Sequence, residues 1–151
     1  MLKTIISDAS CLILLDKIGE LNILEKLYGE VIITSIIAED FGLELPLWIR
    51  IIDPKNADLQ NNLLAFMDIG EASAIALAIE IGHCKLILDD EKARKKVIEL
   101  GLDFTGTLGV LSAAKHKGII PLLKPLFDKI ELTDFRYTDK LLSSILQSVG
   151  E

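Results

Sequence analysis

Short, mostly apolar runs alternate along the chain with longer segments whose apolar residues recur every three or four positions. Thr4–Ser7 is a short apolar run ending at Asp8, and Val31–Ile33, Lys85–Leu88 and Leu102–Thr105 read as three more strands. Runs this short, bounded by polar residues or glycine, predict buried strands. Trp48–Ile52, just after Pro46, predicts a further strand at an edge.

Helical spacing fills the intervals. Ser10 is expected to cap a helix through Leu15. Leu21, Leu24, Leu27 and Tyr28 line one helical face that stops at Gly29. Thr34 or Ser35 caps a helix carrying Glu39 and Asp40, and Asp58–Phe66 reads as another helix. Gly70 turns the chain into Glu71–Ile79, small and apolar on nearly every side and therefore buried, with Gly82 as its stop. Glu91–Leu100 is a charged surface helix stopped by Gly101. Thr107 is expected to cap Leu108–Lys117, and two more helices follow Pro121, the last capped by Thr138.

Strands alternating with helices imply a parallel sheet covered on both faces. Right-handed crossovers bring all the strands' carboxyl ends to one edge, where ligands bind in such sheets. No repeat and no Pro/Gly/Ser-rich linker divides the 151 residues, which read as a single α/β domain over 1–151.

Composition sharpens this picture. Half of the residues are hydrophobic but only 5% are aromatic, and mean hydropathy is +0.43, so the core must be aliphatic. A net charge of −7 argues against nucleic-acid binding through the whole surface and leaves room for a local basic patch or a bound metal. Two basic runs stand out, Lys92/Arg94/Lys95/Lys96 and Lys115–Lys117. Each reads first as a solvated helix face, and alternatively as a phosphate contact. Trp48 offers either a packing surface or a ring on which a base could stack. Cys11 and Cys84, with His83 and His116 as the only histidines, suggest neither a disulfide framework nor a zinc site. No signal peptide and no membrane span is expected, which makes the cytoplasm the expected compartment.

The carboxylates fall where chain direction predicts one rim. Asp8 follows the first strand, Asp89 and Asp90 follow the Lys85–Leu88 strand, and Glu39 and Asp40 lie one turn into the helix after the second strand. Glu71 occupies the first turn of an otherwise apolar helix. Each has a plainer reading, as a helix cap, a solvated charge or an acid favoured at a helix N-terminus. Glu71 resists that reading. Its face looks buried, a buried carboxylate needs a partner, and its helix holds no Lys or Arg. Crowded carboxylates repel, and a hard divalent cation relieves the conflict. Two such ions could activate a water and steady the leaving oxygen in phosphodiester cleavage, with no histidine or lysine base needed.

In sequence the chain resembles the PIN-domain family, in particular VapC-type toxins and their archaeal and bacterial relatives. The strongest match is Gly70-Glu71-Ala72-Ser73-Ala74-Ile75-Ala76-Leu77-Ala78. Leu86-Ile87-Leu88-Asp89-Asp90-Glu91-Lys92-Ala93-Arg94, Gly106-Thr107-Leu108-Gly109-Val110-Leu111 and the opening Asp8-Ala9-Ser10 add to it. The resemblance implies a three-layer α/β/α sandwich with sheet order 3-2-1-4-5, Mg²⁺ or Mn²⁺ as cofactor, and hydrolysis of single-stranded RNA. It implies Asp8, Asp40 or Glu39, Glu71, and Asp90 or Asp89 as metal ligands, with Asp40 and Asp90 favoured. The Pro that normally opens the second motif is replaced here by Thr34 or Ser35. Ser10, Arg94, Thr107 and Lys115 are expected to support the site or touch substrate. The same resemblance implies RNA and an antitoxin protein as partners, and a homodimer.

Two other classes compete. One is a catalytically weak nucleic-acid- or protein-binding module on the same fold. The other is a phosphoryl-transfer α/β domain. A receiver domain would want its acidic pair after the first strand, and a dehalogenase-type phosphatase would want an acid where Ser10 stands.

Overall fold

The computed structural model describes residues 2–151. In chain order its elements are β1 (Thr4–Ser7), α1 (Ala9–Lys17), α2 (Asn22–Tyr28), β2 (Val31–Ile33), α3 (Ser35–Phe41), β3 (Ile49–Ile51) and α4 (Ala57–Leu63). There follow α5 (Ile69–Ile81), β4 (Cys84–Ile87), α6 (Glu91–Glu99), β5 (Asp103–Thr105), α7 (Thr107–His116), α8 (Lys124–Glu131) and α9 (Asp139–Ser148).

The strands form one five-stranded sheet in the order β3-β2-β1-β4-β5, and every pairing is parallel. This is the expected α/β/α architecture. β1 lies in the middle, paired with β2 on one side and with β4 from Thr4↔Cys84 to Ser7↔Ile87 on the other. Ile5 and Ile6 are buried accordingly, as are Ile33, Leu86 and Ile87 in the neighbouring strands. The core is aliphatic, with Phe41 and Phe127 as the buried aromatic exceptions. α5 is buried continuously from Gly70 to Ala78 except at Glu71, because small side chains let it lie close against the sheet. β3 and β5 are the edge strands, and Trp48 just before β3 is partly buried against the core.

Three helix starts differ from the sequence reading, each because a neighbour takes over the capping. α1 is capped by Asp8, which accepts the N–H of Cys11, and Ser10 falls inside the first turn. α5 begins at Ile69 under an Asp68 cap rather than after Gly70. α7 begins at Thr107 with Gly106 as its cap residue, because the Thr107 side chain is spent on Asp89. α4 also ends before Phe66, which leaves that residue in the connection to α5. No helix among the described residues is long and apolar enough to cross a membrane. Both cysteines are free and buried.

Candidate functional site

The parallel topology delivers Asp8, Thr34, Asp89 and Gly106 to one edge, each just past the end of its strand. The ladder runs on into these loops: the N–H of Asp8 donates to Ile87 O and that of Leu88 to Thr105 O, both at 2.9 Å.

Asp8 is the buried acid of the group, 6% exposed. One oxygen accepts the Cys11 N–H at 2.9 Å and the other the Asp89 N–H at 3.0 Å. Burial pushes its pKa up to about 7, helped by the Asp89 carboxylate and opposed by those two backbone N–H groups. Asp8 lines a narrow cleft of about 50 Å³ together with Ser10, Asp40, Asp68, Gly70 and Glu71. Glu39 is exposed and is not among the residues lining this cleft.

A chain of hydroxyls holds the cleft's two helical walls together. Ser73 Oγ donates to Gly70 O at 2.7 Å, which uses its one proton. The 2.7 Å contact between Thr34 and Ser73 must then have Thr34 as donor, while Thr34 accepts the Ile37 N–H. All of this is buried, and it fixes α3, which carries Asp40, against the first turn of α5, which carries Glu71. Gly70 permits the close approach. A Cβ there would sit 3.2 Å from Asp40 Oδ2 and 3.4 Å from Asp68 Oδ1.

Glu71 Oε2 is buried and has no hydrogen-bond partner. On its other side, Glu71 borders a wider hollow of about 370 Å³ with Phe66, Asp68, Asp90 and Lys92. The neighbouring pair Asp89/Asp90 therefore divides. Asp90 caps α6 through the Ala93 N–H and faces this hollow. Asp89 turns the other way, accepting the Thr107 N–H at 2.8 Å and the Thr107 hydroxyl at 2.5 Å, with Arg94 Nη2 at 3.6 Å.

Arg94 itself is a strut. Its Nε donates to Leu88 O at 2.7 Å and its guanidinium lies 5.5 Å from the Phe104 ring centroid, packed so tightly on Gly106 that a Cβ there would be 2.0 Å from Nη2. Thr107 and Arg94 thus support Asp89, and Ser10 lines the cleft. Lys115 sits about 12 Å further along α7 from its N-terminus, and its ammonium is paired with Glu151 at 2.6 Å. Lys115 lines neither the cleft nor the hollow.

The site contains an acid the sequence reading missed. Asp68 borders both the cleft and the hollow, and partial burial followed by the Asp90 carboxylate raises its pKa. The signal was the pattern Asp68-Ile69-Gly70-Glu71, which has the form of a capping box.

The family model described as DUF3368: PIN domain matches residues 4–151. The chain belongs to the PIN-domain family. Members of this family are generally nucleases, which makes this a nuclease-type fold. No curated protein matches the chain.

PIN domains typically use divalent metals, and the donors here suit one. They are hard carboxylate oxygens, one of them buried without a partner. Among the described residues, no three His, Cys, Asp or Glu side chains converge as a ready-made cage. The acids are arranged instead along two adjoining walls, with Asp8 and Asp40 on the cleft side, Asp90 on the hollow side, and Asp68 and Glu71 between them.

Proposed function

We propose that this PIN domain is a Mg²⁺- or Mn²⁺-dependent endoribonuclease acting on single-stranded RNA, with Asp8, Asp40, Glu71 and Asp90 as the residues that hold the cation. The observation that carries this reading is Glu71 Oε2, a buried carboxylate oxygen with no hydrogen-bond partner, in the same cleft as Asp8 and Asp40. An unpaired buried anion is costly, and a hard cation is the partner that would remove the cost.

When bound, such an ion acidifies water and offsets charge at the phosphodiester. The chain's own residues orient the site. Backbone N–H groups fix both Asp8 oxygens, and the hydroxyl chain holds Asp40 beside Glu71. Asp89, already engaged with Thr107 and Arg94, acts as a positioning residue that anchors the end of β4. Neither histidine lines the cleft or the hollow, so no imidazole base enters the scheme.

The toxin role, the antitoxin partner, the dimer and the cytoplasmic location are proposed on the sequence resemblance to VapC-type proteins. The test is cleavage of a labelled single-stranded RNA with Mn²⁺ or Mg²⁺. Cleavage should vanish in EDTA and in Asp8→Asn and Glu71→Gln. Cleavage that persists in both variants and in EDTA overturns the assignment. Metal-independent RNA or protein binding without cleavage would favour the weak binding module instead.

A further inference from the structure

The hollow beside Glu71 is lined by two unlike kinds of side chain. Asp68, Glu71 and Asp90 are acidic, and Phe66 and Lys92 border the same space. Phe66 is 49% exposed, in the connection between α4 and α5. Its ring is held from α6, with the Lys96 ammonium 4.1 Å from the ring centroid. Half of its surface is open to a partner, and the surroundings say what kind fits. Lys96 lies against the ring and Lys92 lines the same hollow, in a chain whose net charge is −7. α6 is the densest basic segment of the chain, and its one arginine is turned inward onto Leu88 O and Asp89. Lys96 is drawn onto Phe66 and Glu99, which leaves the exposed Lys92 and Lys95 to act outward.

Resting on the ribonuclease reading above, the geometry points to Phe66 as the stacking platform for a base of the RNA strand, in the same hollow as the acids that would hold the cation, with Lys92 contacting a backbone phosphate. Aromatic rings stack on any base and tolerate sequence, while lysines follow the backbone, which is how single strands are held without readout of base edges. The Lys96 contact also orders the ring in advance, so less freedom is lost when a base arrives. The acids and the ring line one hollow, so cleavage and grip would be adjacent.

The experiment is an abasic scan. The wild-type protein, Phe66→Ala and Phe66→Tyr are titrated, in Ca²⁺ to limit turnover, against fluorescent eight-nucleotide single-stranded RNAs lacking one base at a time; steady-state cleavage is then measured in Mn²⁺. For wild type, one position should stand out, binding about ten-fold more weakly without its base. Phe66→Ala should lose about the same factor on the intact RNA and be indifferent to removal of that base, with the loss falling on KM. Phe66→Tyr should behave as wild type. Lys92→Ala should lower the slope of log affinity against log salt by about 0.7. Leu132→Ala, an exposed apolar residue elsewhere, serves as the surface control.

If wild type cleaves RNA but Phe66→Ala keeps full affinity or the same abasic penalty, the platform is overturned and the nuclease reading stands. If Phe66→Ala instead changes the oligomeric state while RNA affinity is untouched, the ring is a contact between copies and the proposal fails. If wild type neither binds nor cleaves single-stranded RNA, both readings fall.

Discussion

The Asp8 carboxylate accepts the backbone N–H of Asp89, a residue 81 positions later in the chain, at 3.0 Å. This bond joins the loop after β1 to the loop after β4 and turns two strand ends into one platform. It also draws Asp8 into the interior, so that burial, and then the Asp89 carboxylate, push its pKa up to about 7.

That shift has a definite sign. An aspartate ordinarily titrates near 3.8, so between about pH 4 and pH 7 the unfolded chain has already lost a proton that folded Asp8 retains. Asp8 therefore makes the metal-free protein less stable as pH rises through this window, by at most about 4 kcal/mol. Thermal unfolding in EDTA should show a higher midpoint at pH 5 than at pH 8, and Mn²⁺ should raise the midpoint more at pH 8. A midpoint in EDTA that does not fall over this range would contradict the burial of an ionisable Asp8.

Glu71 should behave as a residue kept at a cost to the fold. Its unpartnered buried oxygen implies that Glu71→Leu is as stable as wild type in EDTA or more stable, by about 1 kcal/mol. The same variant should gain nothing from Mn²⁺. Denaturant titrations with and without metal measure both effects, and a clear loss of stability in EDTA would mean that the oxygen is already satisfied.

Thr34 and Ser73 form a coupled pair. Ser73→Ala strips the acceptor from a buried hydroxyl and should cost about 1–3 kcal/mol. Thr34→Val in the same background should then cost less than it does alone, giving a coupling energy of about 1 kcal/mol or more in a double-mutant cycle. Strict additivity would show that the two hydroxyls do not hold α3 to α5.

The two acids after β4 should separate by assay. Asp89→Asn weakens the Thr107 and Arg94 contacts and should lower the unfolding midpoint, whereas Asp90→Asn should leave the fold largely intact and abolish metal-dependent cleavage. Gly106→Ala should resemble Asp89→Asn, costing about 1–3 kcal/mol, because an added methyl meets Arg94 Nη2 and Asp89 Oδ1. By the same logic Asp40→Asn should remove activity and Glu39→Gln should not. A reversal within either pair would exchange the roles given to its members.

Much of this was legible in the sequence because burial leaves a direct trace. The short aliphatic runs around Ile6, Ile33 and Leu86 mark strands that must be covered on both faces, and the small apolar residues of Gly70–Ala78 mark a helix pressed against them. Asp8 and Glu71 stood out as charges inside apolar patterns. Helix starts were harder to read, because capping is decided by competition between neighbours. Asp8 took the role expected of Ser10, and Thr107 was drawn away from capping by Asp89, which lies 18 residues earlier. Nor could spacing say which way each acid of the Asp89-Asp90 pair would turn, since that depends on Arg94 and Thr107 arriving from separate elements. The Lys115–Glu151 pairing joins side chains 36 residues apart and leaves no local pattern to read.

The latch of Thr34, Ser73 and Gly70 is built from neutral groups. Dissolved ions do not screen such contacts as they screen charges, so the spacing between Asp40 and Glu71 should be the same in brine as in dilute buffer. Lysine contacts to a polyanion loosen steeply under the same change. Raising ionic strength would then release the strand while leaving the width of the acidic slot untouched.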